Sequence, residues 1–212
     1  SHINLESGDV EEGFKNSDIV VEREYKTKMV HQGYIEPQSS TAFWSRDDYV
    51  TIWTSTQAPF GVRATTSELL NIPESNVKVV PLEIGGGFGG KIGTYLDPVA
   101  ALLSKKVGQP VKLSMGRKDV FEATGPTSGS HMRAKVGVTK DGKIKAVQMY
   151  VAFEAGAYPG SPVAGGTNCV LGPYKVESFK IDGYDVVVNK PKTSAYRAPG
   201  APITAYALEP VI

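Results

Sequence analysis

The segment Gly85-Gly86-Gly87-Phe88-Gly89-Gly90-Lys91 sets five glycines in six positions directly before a lysine. That density suits neither a helix nor a strand interior, because each glycine adds backbone freedom that regular structure must remove. The flanks define its setting. Val77 to Val80 is a short apolar run that reads as a strand, and Tyr95 to Val107 has a helical pattern closed by Gly108 and followed by Pro110. Strand, glycine loop and helix thus follow in order, and residues without Cβ let backbone N–H groups approach an anion at a helix N-terminus. Three readings are open. Gly85, Gly90 and Lys91 fit a P-loop, but Ile92 stands where a hydroxyl would meet magnesium. Gly85, Gly87 and Gly90 fit a dinucleotide fingerprint, but the next strand ends in Ser114-Met115-Gly116-Arg117 without an acid, and Arg117 would suit only a 2′-phosphate. The third is a tight turn that lets a helix pack on a sheet. The number of glycines favours a ligand.

The rest of the chain predicts an α+β fold. Ile19 to Lys28 alternates loosely, Thr41 to Trp44 and Tyr49 to Ser55 form a hairpin around Arg46-Asp47-Asp48, and Gly61 to Leu70 reads as a helix stopped by Asn71-Ile72-Pro73. Val111 to Met115 is a further strand. Ser130 to Thr139 and Lys143 to Phe153 pair around Lys140-Asp141-Gly142-Lys143. Gly156 to Gly166 is too rich in Gly and Pro for regular structure, Phe179 to Val188 returns to strand, and the loop Lys190 to Pro202 leads to a last helix from Ala201. At 41% hydrophobic, 212 residues bury one core, as a single domain or two small lobes of about 1–125 and 126–212. Ser1-His2 lacks an initiator Met and the last helix lacks a cap at Ile212, so an excised piece of a longer chain is expected.

Composition narrows the partners. A net charge of +1 supplies no long-range field for nucleic acid or an acidic membrane, and no apolar run is long enough for a membrane helix. Cys169 is the only cysteine, which excludes an internal disulfide framework and a thiolate metal cluster, fits a reducing cytoplasm, and reads as a small buried hydrophobe. His31 and Glu36 are five positions apart and are read as a hydrogen-bonded histidine and its neighbour, not as metal ligands. Lys105-Lys106 reads as a solvated helix end.

Order of motifs adds a resemblance. The glycine loop is preceded by Ser55-Thr56-Gln57-Ala58-Pro59 and followed far downstream by Ala195-Tyr196-Arg197-Ala198-Pro199-Gly200. His31-Gln32-Gly33-Tyr34-Ile35-Glu36-Pro37, Gly172-Pro173-Tyr174 and Asn189-Lys190-Pro191 accompany them. In that order, from about Gly8 to Ile212, the set resembles the molybdopterin-binding region of the large subunits of molybdenum hydroxylases, the xanthine dehydrogenase and aldehyde oxidase family.

The resemblance implies a fold like that family's first molybdopterin-binding domain. It also implies an oxidoreductase that hydroxylates a C–H bond with oxygen derived from water, its molybdenum held by the pterin dithiolene and not by protein ligands. Gln57, Gly86, Gly87, Phe88, Gly89 and Arg197 are the implied cofactor contacts: the Gln57 amide and the Arg197 backbone N–H meet oxo ligands, and Phe88 lies by the metal. FAD and 2Fe-2S clusters are implied on partner subunits or domains, and the general base is a Glu beyond Ile212. The 212 residues alone are therefore expected to fold at least partly but to hold no cofactor stably and to be inactive. Ile92, Gly165 and Pro199 are the implied substrate-pocket positions, and each differs from the Glu, Arg and Phe of purine-oxidising members. Ala198 differs from the copper-binding Cys of the carbon monoxide branch. An aldehyde, an N-heterocycle or an aromatic thioester remains as substrate class.

Overall fold

The computed structural model describes residues Ser1–Ile212. In chain order its elements are β1 (His2–Ser7), α1 (Val10–Lys15), β2 (Ile19–Thr27), β3 (Ser39–Trp44), β4 (Val50–Thr54), α2 (Pro59–Leu70), β5 (Val77–Pro81), α3 (Asp97–Val107), β6 (Val111–Ser114), α4 (Arg117–Ala123), β7 (Ser130–Val138), β8 (Ile144–Gly156), α5 (Val163–Cys169), β9 (Ser178–Val187) and α6 (Ala201–Leu208). Short 3-10 turns occupy Glu74–Asn76 and Glu209–Val211. Strands and helices do not alternate strictly and both sheets are mixed, which makes the class α+β, as the pattern predicts.

Two compact units divide the chain. The first comprises Ser1–Val30, Thr127–Thr193 and Ala198–Ile212, and the second His31–Pro126 with Ser194–Arg197. The chain crosses between them four times, once close to the expected 125/126 boundary, and the first thirty residues belong with the C-terminal part.

In the first unit the strands run in the order β1-β9-β8-β7-β2, with β8 and β9 parallel and the other pairs antiparallel. The period of two along β7 turns Met132, Ala134 and Val136 inward. They meet Val147, Met149, Val151 and Phe153 of β8, Ile181 of β9, Val163 of α5 and Ala207 and Leu208 of α6 in one core. The Asp141-Gly142 turn closes the β7–β8 hairpin, with the Gly142 N–H donated to the Thr139 carbonyl at 2.9 Å.

In the second unit the order is β5-β4-β3-β6, with β4 and β5 parallel and β3 antiparallel to both its neighbours. Ala42, Trp44, Val50, Ile52 and Val77 form the core with Ala100 and Ala101 of α3. Small residues on that face of α3 let helix and sheet approach closely. Ser104, fully buried, accepts the Trp44 N–H at 2.9 Å and donates to the Gln109 carbonyl at 2.7 Å, tying β3 to the end of the helix.

Four elements differ from the reading of the sequence. The sequence pattern shows no strand before Ile19, yet His2–Ser7 form β1 along β9, with His2 opposite Tyr184. The short helices α1 and α4, of 6 and 7 residues, offer too few turns for a periodic signal. Arg117, a candidate phosphate partner in the dinucleotide reading, begins α4 and donates to the Ile35 carbonyl at 2.5 Å. In α5, glycine serves contact: a Cβ at Gly166 would lie 3.1 Å from the Gly200 carbonyl, so the glycines that suggested irregular chain instead admit a close neighbour. No helix is long and apolar enough to cross a membrane.

Candidate functional site

The glycine loop belongs to the second unit, between the end of β5 at Pro81 and the start of α3 at Asp97. Ile92 to Leu96 separate Lys91 from α3, so the loop does not sit on a helix N-terminus. The loop is held instead by side chains from elsewhere. The Glu36 carboxylate accepts the Gly85 N–H at 2.8 Å and the Lys91 ammonium at 2.5 Å, and the Glu36 N–H is donated to the Gly85 carbonyl at 3.1 Å. Burial pushes the Glu36 carboxyl up, but the Lys91 ammonium and the Gly85 N–H outweigh it and hold the group below the usual carboxylate range.

Gln57 follows the end of β4, where its backbone N–H is donated to the Lys91 carbonyl at 2.9 Å. Its side-chain Oε1 accepts the N–H of Gly89 at 2.8 Å and of Lys91 at 3.2 Å. Two donors on one end settle which end is oxygen. Nε2 therefore points away from the loop on an exposed residue, with both its protons free for a ligand. Space around the loop is tight. A Cβ at Gly87 would fall 2.6 Å from Gln57 Oε1, and one at Gly90 2.8 Å from the Tyr34 ring. Gly89, at φ 98°, would bring a Cβ within 2.8 Å of the Ala195 carbonyl.

Phe88 is exposed and left-handed, at φ 50°. Arg197 and Ala198 are left-handed as well, at φ 37° and 59°, a rare run for residues with side chains. This turn delivers the Arg197 backbone N–H to the Phe88 carbonyl at 2.9 Å. The donor that the resemblance assigns to an oxo ligand is thus spent inside the protein, and its effect is to join the arginine motif to the glycine loop. The N–H groups of Gly86 and Phe88, on solvent-accessible residues, have no partner in the protein.

The His31–Pro37 stretch completes the arrangement. Gln32, buried, donates through Nε2 to the carbonyls of Gly125 at 3.1 Å and Ala195 at 2.8 Å. His31 accepts the Gly33 N–H on Nδ1, so Nε2 carries the proton and donates to Thr124 Oγ1 at 2.7 Å. Burial, with the Arg117 charge adding to it, lowers the imidazole pKa, which favours the neutral ring. Beneath the loop lies a cavity of about 10 Å³, walled by Lys91 and by the unpartnered Gln38 Oε1, Ser40 Oγ and Asp97 Oδ1, with room for about one water. Gln57, Gly86, Gly87, Phe88, Gly89 and Arg197 are therefore brought together in one unit. Ile92 belongs to this unit too, half exposed, whereas Gly165 and Pro199 lie together in the first, where a Cβ at Gly165 would meet the Pro199 carbonyl at 2.7 Å.

Two readings of the sequence are corrected by this geometry. The nucleotide alternatives fail because no helix begins at the loop and the Lys91 ammonium is buried against Glu36, away from any phosphate. Cys169 is exposed, not buried, because it ends α5 on the solvent side with its thiol donated to the Gly165 carbonyl at 2.8 Å. Lys105 and Lys106 are exposed in the last turn of α3, as read, and the Lys105 ammonium also lies 4.2 Å over the Trp44 ring. The sequence reading missed Gln32 and assigned no role to Glu36 or Tyr34; a lysine following a glycine loop, whose burial requires a partner acid, is the signal that would have found Glu36.

Residues 1–212 match the family model described as a molybdopterin cofactor-binding domain. The nicotinate dehydrogenase large molybdopterin subunit of Eubacterium barkeri is 33% identical over 93% of this chain and 47% of its own length. The xanthine dehydrogenase molybdenum-binding subunit of Escherichia coli O157:H7 is 32% identical over 98% of this chain and 28% of its own. The crystal structure of quinoline 2-oxidoreductase from Pseudomonas putida 86 superposes with a TM-score of 0.86 at 26% identity, covering 94% of this chain and 26% of that one. The chain thus spans less than half the length of these relatives. With a family model matched end to end and a fold shared with quinoline 2-oxidoreductase, the chain belongs to the molybdopterin cofactor-binding domains of the xanthine dehydrogenase and aldehyde oxidase family.

Proposed function

We propose that this chain is the part of a molybdenum hydroxylase large subunit that holds the molybdopterin cofactor, and that the complete protein hydroxylates a C–H bond of a small molecule. The observation that carries the reading is the Gln57 carboxamide, whose oxygen is fixed by Gly89 and Lys91 while its nitrogen is left as a donor beside the loop. The free N–H groups of Gly86 and Phe88 add donors on accessible backbone, which fits an anionic, oxygen-rich ligand.

When bound, the cofactor supplies a molybdenum centre that accepts the two electrons released as water-derived oxygen enters the C–H bond. The chain's own part is orientation. Gln57 presents Nε2 on the cofactor side without needing to reorganise, Gly86 to Gly89 bring the backbone close, and Phe88 covers the site with an apolar ring. Arg197, an exposed residue, contributes by holding Phe88 through its backbone N–H. The general base is a Glu in the rest of the subunit, and iron-sulfur and flavin subunits or domains in the cytoplasm take the electrons onward.

In this reading Ile92 in the second unit, and Gly165 and Pro199 in the first, stand where purine-oxidising members have Glu, Arg and Phe. Apolar or absent side chains at all three oppose a purine, which needs polar anchors, and Ala198 offers no thiolate for copper. The names of the nicotinate and quinoline enzymes point to N-heterocycles, and that substrate class is preferred here.

Gln57→Glu in the full-length protein tests the proposal, because it keeps an oxygen for Gly89 and Lys91 while removing the donor. The expected result is an unchanged molybdenum content and melting temperature with kcat lower by about a hundredfold. Unchanged turnover would remove Gln57 from the site.

A further inference from the structure

Lys91 is 1% exposed, a degree of burial that a lysine tolerates only with its charge met. Glu36 meets it at 2.5 Å, and the ring of Tyr34 lies 5.1 Å from the ammonium. The same carboxylate oxygen accepts the N–H of Gly85. One side chain therefore ties together the first and last residues of the loop, Gly85 and Lys91.

The backbone of Lys91 is also the part of the loop that handles Gln57. Its carbonyl accepts the Gln57 N–H at 2.9 Å and the Thr56 hydroxyl at 3.2 Å, and its own N–H is donated to Gln57 Oε1 at 3.2 Å. Any slip of Lys91 moves both the main chain and the carboxamide of Gln57. A buried ion pair is a weak source of stability, since apolar residues of similar size often do as well; its clearer use is to fix a register. Here the register is that of the loop against Gln57.

We propose that Glu36 and Lys91 are positioning residues for Gln57: the pair, with Lys91 buried and Glu36 partly exposed, closes the glycine loop at its base and so sets the direction in which the carboxamide nitrogen is presented. The effect on turnover rests on the reading of Gln57 as the cofactor-facing donor. The clamp itself does not.

The test uses the full-length loaded protein with Glu36→Gln, which keeps the shape and one acceptor but removes the charge, beside Lys91→Met and the Gln57→Glu variant. Two quantities are measured: hydrogen exchange at the Gly89 and Lys91 amides, and kcat and KM per molybdenum-loaded molecule. Faster exchange at those two amides is expected, with kcat down about tenfold to a hundredfold and KM within about twofold. Lys91→Met should repeat the pattern, and if it does not fold, Glu36→Gln decides. Unaltered exchange and kcat overturn the proposal, as does a loss of activity that only follows loss of molybdenum. Faster exchange in Glu36→Gln together with normal turnover in Gln57→Glu would keep the clamp and remove the cofactor-facing role of Gln57.

Discussion

A carboxamide has two chemically different ends, and the end that faces the ligand decides whether it donates or accepts. At Gln57 the choice is made by the loop, because two backbone N–H groups claim the oxygen. The glycines serve this contact. Gly89 is at φ 98° with the Ala195 carbonyl 2.8 Å from where a Cβ would stand, so Gly89→Ala combines backbone strain with a steric clash. A loss of about 2 kcal/mol or more is expected, read as a lower urea midpoint at unchanged slope. Gln57, the glycine loop and Arg197 were legible in the sequence because each lies in a short contiguous motif. Glu36 was quoted there without a role, since its partner Lys91 is 55 positions away and only burial reveals why the two must meet. The Arg197 N–H shows the opposite failure. A motif names the residue, but the left-handed turn that sends the N–H to Phe88 is visible only in the backbone.

Among the elements, those with long periodic patterns were readable and those fixed by contact were not. β7 and β8 alternate around an Asp-Gly turn, and α2 and α3 end at the left-handed Asn71 and Gly108. By contrast α5 contains two glycines, which by propensity alone argue against a helix, and it forms because Gly166 admits the backbone at Gly200. The loop's position ahead of a helix was read correctly in order but not in distance, and that distance is what separates it from a phosphate loop. α3 offers a direct check on how helix and sheet are joined. Ser104→Ala would leave the Trp44 N–H and the Gln109 carbonyl without their buried partner, at a cost of about 1–3 kcal/mol. A melting temperature within a degree of the parent would show that the serine is dispensable.

For the molecule as a whole, the motifs come together although the sequence scatters them. His31 to Pro37, Gln57, the glycine loop and Ser194 to Arg197 all fall in the second unit, the last of these as a four-residue return of the chain. That return explains why an arginine motif more than a hundred residues downstream belongs to the same site. Gly165 and Pro199, the positions proposed to face substrate, fall in the first unit. The 212-residue chain spans less than half of the length of these relatives, and in the proposed reading it carries only the Gln57 side of the cofactor site. Produced alone, it is expected to fold yet to retain no molybdenum, and near-stoichiometric metal by elemental analysis would contradict this. The central claim is that the Gln57 carboxamide, oriented by the glycine loop, faces the cofactor. A crystal structure of the loaded full-length protein measures this directly. Gln57 Nε2 is predicted within hydrogen-bonding distance, about 3 Å, of the cofactor's metal centre ligands, with Oε1 still held by Gly89 and Lys91. A cofactor seated away from the glycine loop, or a Gln57 with its oxygen turned outward, would contradict the account.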